Sequence, residues 1–330
     1  MIDRGFTEET IKAAGYASWP SKPWEVAGAT IKKFSEEKCS HTPGFYVHHS
    51  KKTGKDFWNL AGRPGILIPV RNLRGDIVAL KYRDQNPGVD HKGKPLNKYK
   101  YVSNKHCLVS SGSPVHIPKH DLRINTDTVR ITEGELKADL AFQFTGILTL
   151  SIPGVKQWPQ VIEYIRAIDP KQVLLSFDAD CHTNRDVATS LYELAKSLLA
   201  NGFEIALESW DMNNGKGIDD VLQFCTVNQY NPSEIIQTKN NTHGNAFNKI
   251  ESIVSEAKQA NPTQQEQLLA EARAWIKNLE TTLTNDSDTL NDPKNLEMLL
   301  TLREQDQSNW LLNVRKILKK HHIVRHVEGI

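Results

Sequence analysis

The chain has 330 residues, 38% of them hydrophobic, enough to bury real cores and to form two or three domains. A formal charge of +2 and a pI near 8.2 exclude a global cationic field, so any nucleic-acid contact must rest on local basic patches. Cys39, Cys107, Cys181 and Cys225 form no C-x-x-C pair, which argues against a zinc ribbon or a disulfide framework and suits a reducing compartment.

The opening MIDRGFTEETIKAAG carries charges where a signal peptide needs an apolar core. No run approaches the roughly 18 apolar residues of a membrane span. The expectation is a cytoplasmic protein with no membrane partner.

In chain order, residues 1 to about 40 read as helical and then irregular. Phe6, Ile11 and Ala14 lie at helical spacing, with Thr7 as the cap. From 44 to about 119 the character changes to short β runs. Segments 66–70 and 77–82 read as strands joined by the turn formers RNLRGD, then a Lys-rich loop over 86–98, then a strand at 99–102. From 129 to about 225 strands alternate with helices. The strands are 129–132, 147–151, 172–178 and 204–210; the helices are 135–144, 157–168 and 186–200. In the last helix Val187, Leu191, Leu194 and Leu198 recur at helical spacing. Such alternation implies a mostly parallel sheet covered by helices, with functional groups at the carboxyl ends of the strands.

The Asn/Gln/Thr-rich stretch 228–248 reads as a linker, and 249–330 is helical by pattern. One stripe there is Leu268, Ala272, Trp275 or Ile276, Leu279 and Leu283; another is Trp310, Leu311, Val314, Ile317 and Leu318. The end, RKILKKHHIVRHV, is locally basic. The fold class expected is α/β. Its parts are a mixed α+β subdomain over 1–125, a parallel-sheet domain over 126–227, the linker 228–248 and a helical region over 249–330.

Three segments of the alternating block carry chemistry. Glu133 lies in ITEGELKAD, Asp178 and Asp180 in SFDAD, and Lys216, Asp219 and Asp220 in NGKGIDDVL. A lone D-x-D is common on surfaces, and Asp219-Asp220 could simply cap the helix that begins VLQF. Order, spacing and strand-end placement agree across all three segments, and that agreement is the signal. Five carboxylates in one small volume raise one another's pKa values unless cations neutralise them. Mg²⁺ suits the role, because it takes oxygen ligands and shares them with substrate phosphates. Cys181 and His182 are bystanders to such an ion, and Thr183 or Asn184 caps the next helix.

Upstream, Arg71, Lys81, Arg83, Lys98 and Lys100 cluster near strand ends, interleaved with Tyr82, Tyr99 and Tyr101. Cations of this kind neutralise phosphates while aromatic faces stack on unpaired bases. The plainer alternative is a solvated strand whose tyrosines cover the core. Lys98 and Lys100, two apart, share a face of a strand, which favours a common phosphate track. Lys137, one turn past Glu133, is either a phosphate contact or a solvent-facing helix residue. Cys39, His41, His48 and His49 have mixed spacing, and no zinc is expected there.

The segment 129–224 resembles a TOPRIM domain, the fold shared by DnaG-type bacterial primases, type IA and type II topoisomerases and some nucleases. The matching hallmarks are Glu133-Gly134 after the first strand, Asp178-Ala179-Asp180 after the third, and Asp219 or Asp220 after the next. Upstream, DRGFTEETIKAAGY resembles the opening of the primase core, GILIPVRNLRGDIVALKYRD its paired strands, and NKYKYVSN the K-Y-x-N-S motif. The resemblance spans most of 3–224. It implies that Glu133 acts as the base for a 3′-hydroxyl or helps hold metal, that Asp178, Asp180 and one of Asp219 and Asp220 bind Mg²⁺ or Mn²⁺, and that Tyr99 and the cations, Lys216 included, contact nucleotide or template.

The implied activity is metal-dependent synthesis of RNA or mixed primers on single-stranded DNA from nucleoside triphosphates. The zinc-binding module of cellular primases is not matched, which points to a mobile element. The C-terminal helices would dock a replicative helicase. Tyr164 and Tyr192 read as packing residues, not as topoisomerase nucleophiles. A TOPRIM nuclease and a non-catalytic module that binds single-stranded DNA are the competing readings.

Overall fold

The first helix starts where Thr7 turns its side-chain oxygen onto the Thr10 N–H, 3.1 Å away, and so satisfies a donor the helix cannot. In this computed structural model residues 1–103, 109–121, 123–280, 283, 289 and 292–320 are described. Cys107 and the basic end beyond residue 320 lie outside them, as does the side chain of Leu311.

The N-terminal elements are α1 (Glu8–Ala14), β1 (Ala17–Ser18), α2 (Pro23–Phe34), α3 (Glu36–Ser40), β2 (Phe45–His49) and β3 (Asp56–Leu60). They are followed by β4 (Gly65–Arg71), β5 (Ile77–Asp84) and β6 (Tyr99–Tyr101). Strands β1, β4, β5 and β6 form an antiparallel sheet in the order β1-β4-β5-β6, and β2 and β3 pair separately. The turn-rich RNLRGD joins β4 to β5 as expected, and each strand runs one or two residues beyond the run read from sequence.

The alternating block folds as β7 (Thr128–Glu133), α4 (Glu135–Thr145), β8 (Leu148–Ile152), α5 (Val161–Ile168), β9 (Gln172–Leu175), α6 (Arg185–Ala200), β10 (Glu204–Ser209) and α7 (Ile218–Asn228). The four strands are parallel, in the order β10-β9-β7-β8. Val129, Ile131, Leu148, Leu150, Ile152, Val173, Leu175 and Ile205 are fully buried. Arg130 and Thr132, on the other face of β7, are buried too, as a sheet covered on both sides requires. Asn184 is the cap of α6, its side chain accepting from the Val187 N–H at 3.4 Å.

Three expectations need correction. Strand β9 stops at Leu175, so Asp178 rides on the segment entering a 3-10 turn, Ala179–His182, and not on the strand itself. The helix read over 157–168 begins only at Val161, because Pro159 and the non-helical Gln157 leave a 3-10 turn, Val155–Gln160, before it. The stretch read as a linker contains α8 (Pro232–Ile235) and β11 (Gln237–Asn240), and β11 pairs antiparallel along the outer edge of β10. Polar composition misled there, since an edge strand with every residue exposed needs no apolar alternation.

The chain divides into two compact units, Met1–Val254 and Ser255–Ile330, and the boundary falls within α9 (Asn245–Ala260). In the first unit Tyr192 on α6 packs its ring 5.3 Å from that of Phe247 on α9, a packing role as read from sequence. The second unit holds α10 (Gln264–Trp275), capped reciprocally by Thr263 and Glu266, and α11 (Pro293–Gln305), capped by Asp292. Its core joins Ala272, Ile276, Leu279 and Leu283 to Met298, Leu299, Leu302, Trp310, Val314 and Leu318. The described side chains of both sequence stripes therefore face inward. Among the described residues no helix is long and apolar enough to cross a membrane.

Candidate functional site

Strands β7 and β9 are neighbours, yet their onward connections diverge: β7 leads through α4 to β8 on one side, β9 through α6 to β10 on the other. A crevice opens above the carboxyl ends of strands at such a divergence. Glu133 is the last residue of β7, and Asp178 lies three residues past β9. Gly134, at φ +87°, takes a conformation side chains disfavour and turns the chain directly from β7 into α4. The Ala179 N–H donates to the Lys216 carbonyl at 2.8 Å, which fastens the D-x-D loop to the segment before α7. Gly217 there permits close approach, because a Cβ would meet Asp219 Oδ1 at 2.6 Å and Lys137 Cε at 2.9 Å. The three acidic segments are thus brought together.

Of the five acids, Glu133, Asp178, Asp180 and Asp219 converge. Asp220 does not join them: it is exposed, and its carboxylate accepts from the Gly217 N–H at 3.0 Å, closing the first turn of α7. The capping alternative therefore holds for Asp220, while Asp219 is 2% exposed. The cluster carries its own cations. Lys137 donates to Asp178 Oδ1. Lys216 Nζ lies 2.7 Å from Asp180 Oδ2 and 3.8 Å from Asp178 Oδ2. Arg4 Nη2 lies 2.6 Å from Asp219 Oδ2, and its Nη1 is 3.5 Å from the Tyr99 hydroxyl.

Burial pushes the Glu133 carboxyl up to about 7, with Asp178 and Asp180 adding to the rise and Lys137 and Lys216 opposing it. Burial likewise raises Asp178, against the pull of Lys137. Lys216 is raised, chiefly by its hydrogen bond to Asp180. One oxygen on each of three carboxylates, Glu133 Oε1, Asp180 Oδ1 and Asp219 Oδ1, is buried with no hydrogen-bond partner. Buried acceptors of this kind are costly unless something satisfies them. An all-oxygen donor set fits a hard divalent cation. Among the described residues no three ligating side chains already enclose a point; the ammonium groups pair with the carboxylates instead.

Beside the acids lies a cleft of about 380 Å³, lined by Arg4, Lys81, Asn97, Tyr99, Tyr101 and the Glu133–Lys137 segment, with Pro153 and Gly154. The β5–β6 register sets Lys81 opposite Tyr101 and Arg83 opposite Tyr99, so these four share a face. Lys81 is buried, ion-paired with Glu135, and its ammonium sits 4.7 Å from the Tyr101 ring centroid. Arg83 is half-buried.

Lys100 and Arg71, both expected to contact nucleic acid, are placed otherwise. Lys100 lies opposite Tyr82, on the sheet face away from Tyr99 and Tyr101, with its ammonium 3.5 Å from Asp84. Exposed Lys98 keeps its ammonium 5.9 Å from the Tyr99 ring centroid, so the two lysines do not line the cleft as one track. Arg71 is committed to the fold: it donates to the carbonyls of Gly75 at 2.9 Å and Ala14 at 3.1 Å, bracing the end of α1.

Sequence reasoning missed Arg4 and Glu135. The only signal for Arg4 was its place in DRGF, just ahead of the α1 cap. Glu135 reads as an ordinary first-turn acid and shows its buried partner, Lys81, only after folding.

A family profile described as "Domain of unknown function (DUF3854)" matches residues 122–228. No curated protein matches the chain. Among solved structures, a DnaG primase catalytic domain bound to ssDNA is similar at 15% identity and a TM-score of 0.50, over 84% of this chain and 80% of that one. A DNA primase domain from Pseudomonas aeruginosa is similar at 16% identity and a TM-score of 0.52, over 92% and 86%. The RNA polymerase domain of Mycobacterium tuberculosis primase DnaG matches at 14% identity and a TM-score of 0.51, over 83% and 89%. At these identities the likeness is one of fold. The chain has the mixed α/β fold of a primase catalytic core.

Proposed function

We propose that this chain is a primase-like TOPRIM enzyme that joins nucleotides on a single-stranded DNA template. The observation that carries the reading is the convergence of Glu133, Asp178, Asp180 and Asp219 beside a cleft walled by Lys81, Tyr99 and Tyr101. The fold likeness to primase cores, one of them bound to ssDNA, supports it. The docking of a replicative helicase by the C-terminal helical region, 249–330, rests on the sequence resemblance.

Asp178, Asp180 and Asp219 would hold Mg²⁺ or Mn²⁺, which would supply charge neutralisation at the reacting phosphate. Glu133, raised to about 7, is half-ionised near neutral pH and so suited to accept the proton of an attacking 3′-hydroxyl. Lys137 and Lys216 already face the carboxylates and would turn to triphosphate oxygens as those enter. Arg4 fixes Asp219 and the Tyr99 hydroxyl together, so the acidic floor and the aromatic wall keep one relative position. Tyr99 and Tyr101 present faces on which a base can stack.

The test is template-dependent synthesis from nucleoside triphosphates on single-stranded DNA, with and without Mg²⁺ or Mn²⁺. Wild type should extend and Asp180→Ala should not. Cleavage of the DNA without synthesis would transfer the site to the nuclease reading, and binding indifferent to Asp180→Ala without either reaction would leave a binding module.

A further inference from the structure

The paired strands β2 and β3 belong to neither larger sheet. Their register sets Tyr46 opposite Asn59 and His48 opposite Phe57, which places Tyr46, His48 and Phe57 on one face. The rings touch in series: Tyr46 and His48 have centroids 6.3 Å apart, His48 and Phe57 5.0 Å apart. His48 is exposed and Phe57 is 37% exposed, so these rings present faces to water instead of filling a core.

The connection at the tip carries Lys51, Lys52 and Lys55, all exposed and, among the described residues, none ion-paired. The turn is well made, with Ser50 N–H donating to the Lys55 carbonyl at 3.0 Å and Gly54 N–H to the Ser50 carbonyl at 2.8 Å. At its base His49 Nδ1 lies 2.6 Å from Asp56 Oδ1, which takes up that carboxylate. Three unpaired ammonium groups therefore sit at the end of an exposed aromatic row.

We infer that the β2–β3 ribbon is a binding surface for single-stranded nucleic acid, with bases stacking on His48 and Phe57 and phosphates held by Lys51, Lys52 and Lys55. An anionic strand supplies what this surface lacks, since each phosphate answers a lysine and each unpaired base offers a ring face. Duplex DNA is a poor fit, because its bases are already stacked on one another. The ribbon lies apart from the acidic cleft, none of whose lining residues it contributes. The inference shares with the proposed function only its single-stranded ligand.

Fluorescence anisotropy with labelled single-stranded DNA, the same sequence as RNA, and a duplex provides the test. Replacing Lys51, Lys52 and Lys55 together by Gln should weaken single-strand binding and lower the slope of log affinity against log salt by about two. Phe57→Ala should weaken it roughly tenfold. Weaker binding of either DNA or RNA supports the surface. The lysine variant alters only exposed side chains, so it keeps the test valid if Phe57→Ala folds poorly. Unchanged affinity and salt slope in the lysine variant would overturn the inference, as would equal losses on the duplex in both variants. A wild type that makes no primers yet loses affinity in these variants would sink the primase reading and leave the ribbon standing; active synthesis with unaltered affinities would do the reverse.

Discussion

The Lys137 ammonium donates to Asp178 Oδ1, so an acid past the end of β9 is neutralised by the first turn of the helix that follows β7. With Lys216 on Asp180 and Arg4 on Asp219, three of the four clustered acids have a built-in cation. Glu133 has none directly, and burial raises it with Lys137 and Lys216 only partly opposing the rise. An incoming cation must compete with lysines for the same carboxylates.

Lys137→Met should therefore have two opposite effects. Without cation it leaves Asp178 buried with only Lys216 at 3.8 Å, and the loss should be about 2–3 kcal/mol, the range for a lost hydrogen bond to a charged group. With Mg²⁺ the vacated carboxylate becomes a freer ligand, so the gain in thermal midpoint on adding Mg²⁺ should exceed that of wild type. Equal Mg²⁺ responses in the two proteins would show that Lys137 and the cation do not compete.

Glu133 should make the cation-free protein less stable as pH rises. Its folded value of about 7 lies above the ordinary 4.5, so the folded state binds the extra proton in between. That contribution is fully present below 4.5 and is lost as pH climbs through about 7. The amount is roughly 3 kcal/mol, from 1.36 kcal/mol for each unit. Glu133→Gln should flatten this part of the curve of unfolding free energy against pH and stabilise the protein at pH 8. A curve of unchanged slope between pH 5 and 7 would refute it.

Arg130 and Glu208 give a structural control inside the sheet. Arg130 Nε lies 2.7 Å and Nη2 3.0 Å from the Glu208 oxygens, with both side chains buried and the Ser176 hydroxyl donating to the same carboxylate. Arg130→Met should cost about 3–5 kcal/mol by stranding that carboxylate, and adding Glu208→Leu should recover most of it. Denaturant unfolding of the single and double variants measures this directly; a double variant no better than the single would contradict it.

Arg71 and Lys98 should separate fold from binding. Arg71→Ala removes two carbonyl contacts and should lower the thermal midpoint while leaving the affinity of folded protein for single-stranded DNA unaltered. Lys98→Ala should leave stability unaltered, weaken that affinity and reduce the salt slope by about 0.7. Swapped phenotypes would reverse the two assignments.

Most of the parallel block was legible because its signals are local. Buried strands read as apolar runs, and Val187, Leu191, Leu194 and Leu198 all face inward from α6. The three acidic segments were found by strand-end placement, a rule that needs only the order of elements. What failed was whatever depends on a partner distant in sequence. The polar β11 is a strand only because the edge of β10 accepts it. Arg71 looked like a phosphate ligand because its two carbonyl partners are invisible in one dimension.

Composition and period decide which residues can be buried, and the sequence therefore carried the alternating pattern, the acids at the strand ends and the cations and tyrosines upstream. It could not decide between Asp219 and Asp220. One turn of α7 sends the first into the crevice, to Arg4, and the second back to its own cap. Nor could it say that Lys137 and Lys216 already neutralise the acids, or that Lys100 faces away from the cleft. Those outcomes are set by register and by close approach between segments dozens of residues apart, and only the packed tertiary structure brings such segments within the few ångströms over which charge and hydrogen bonding act.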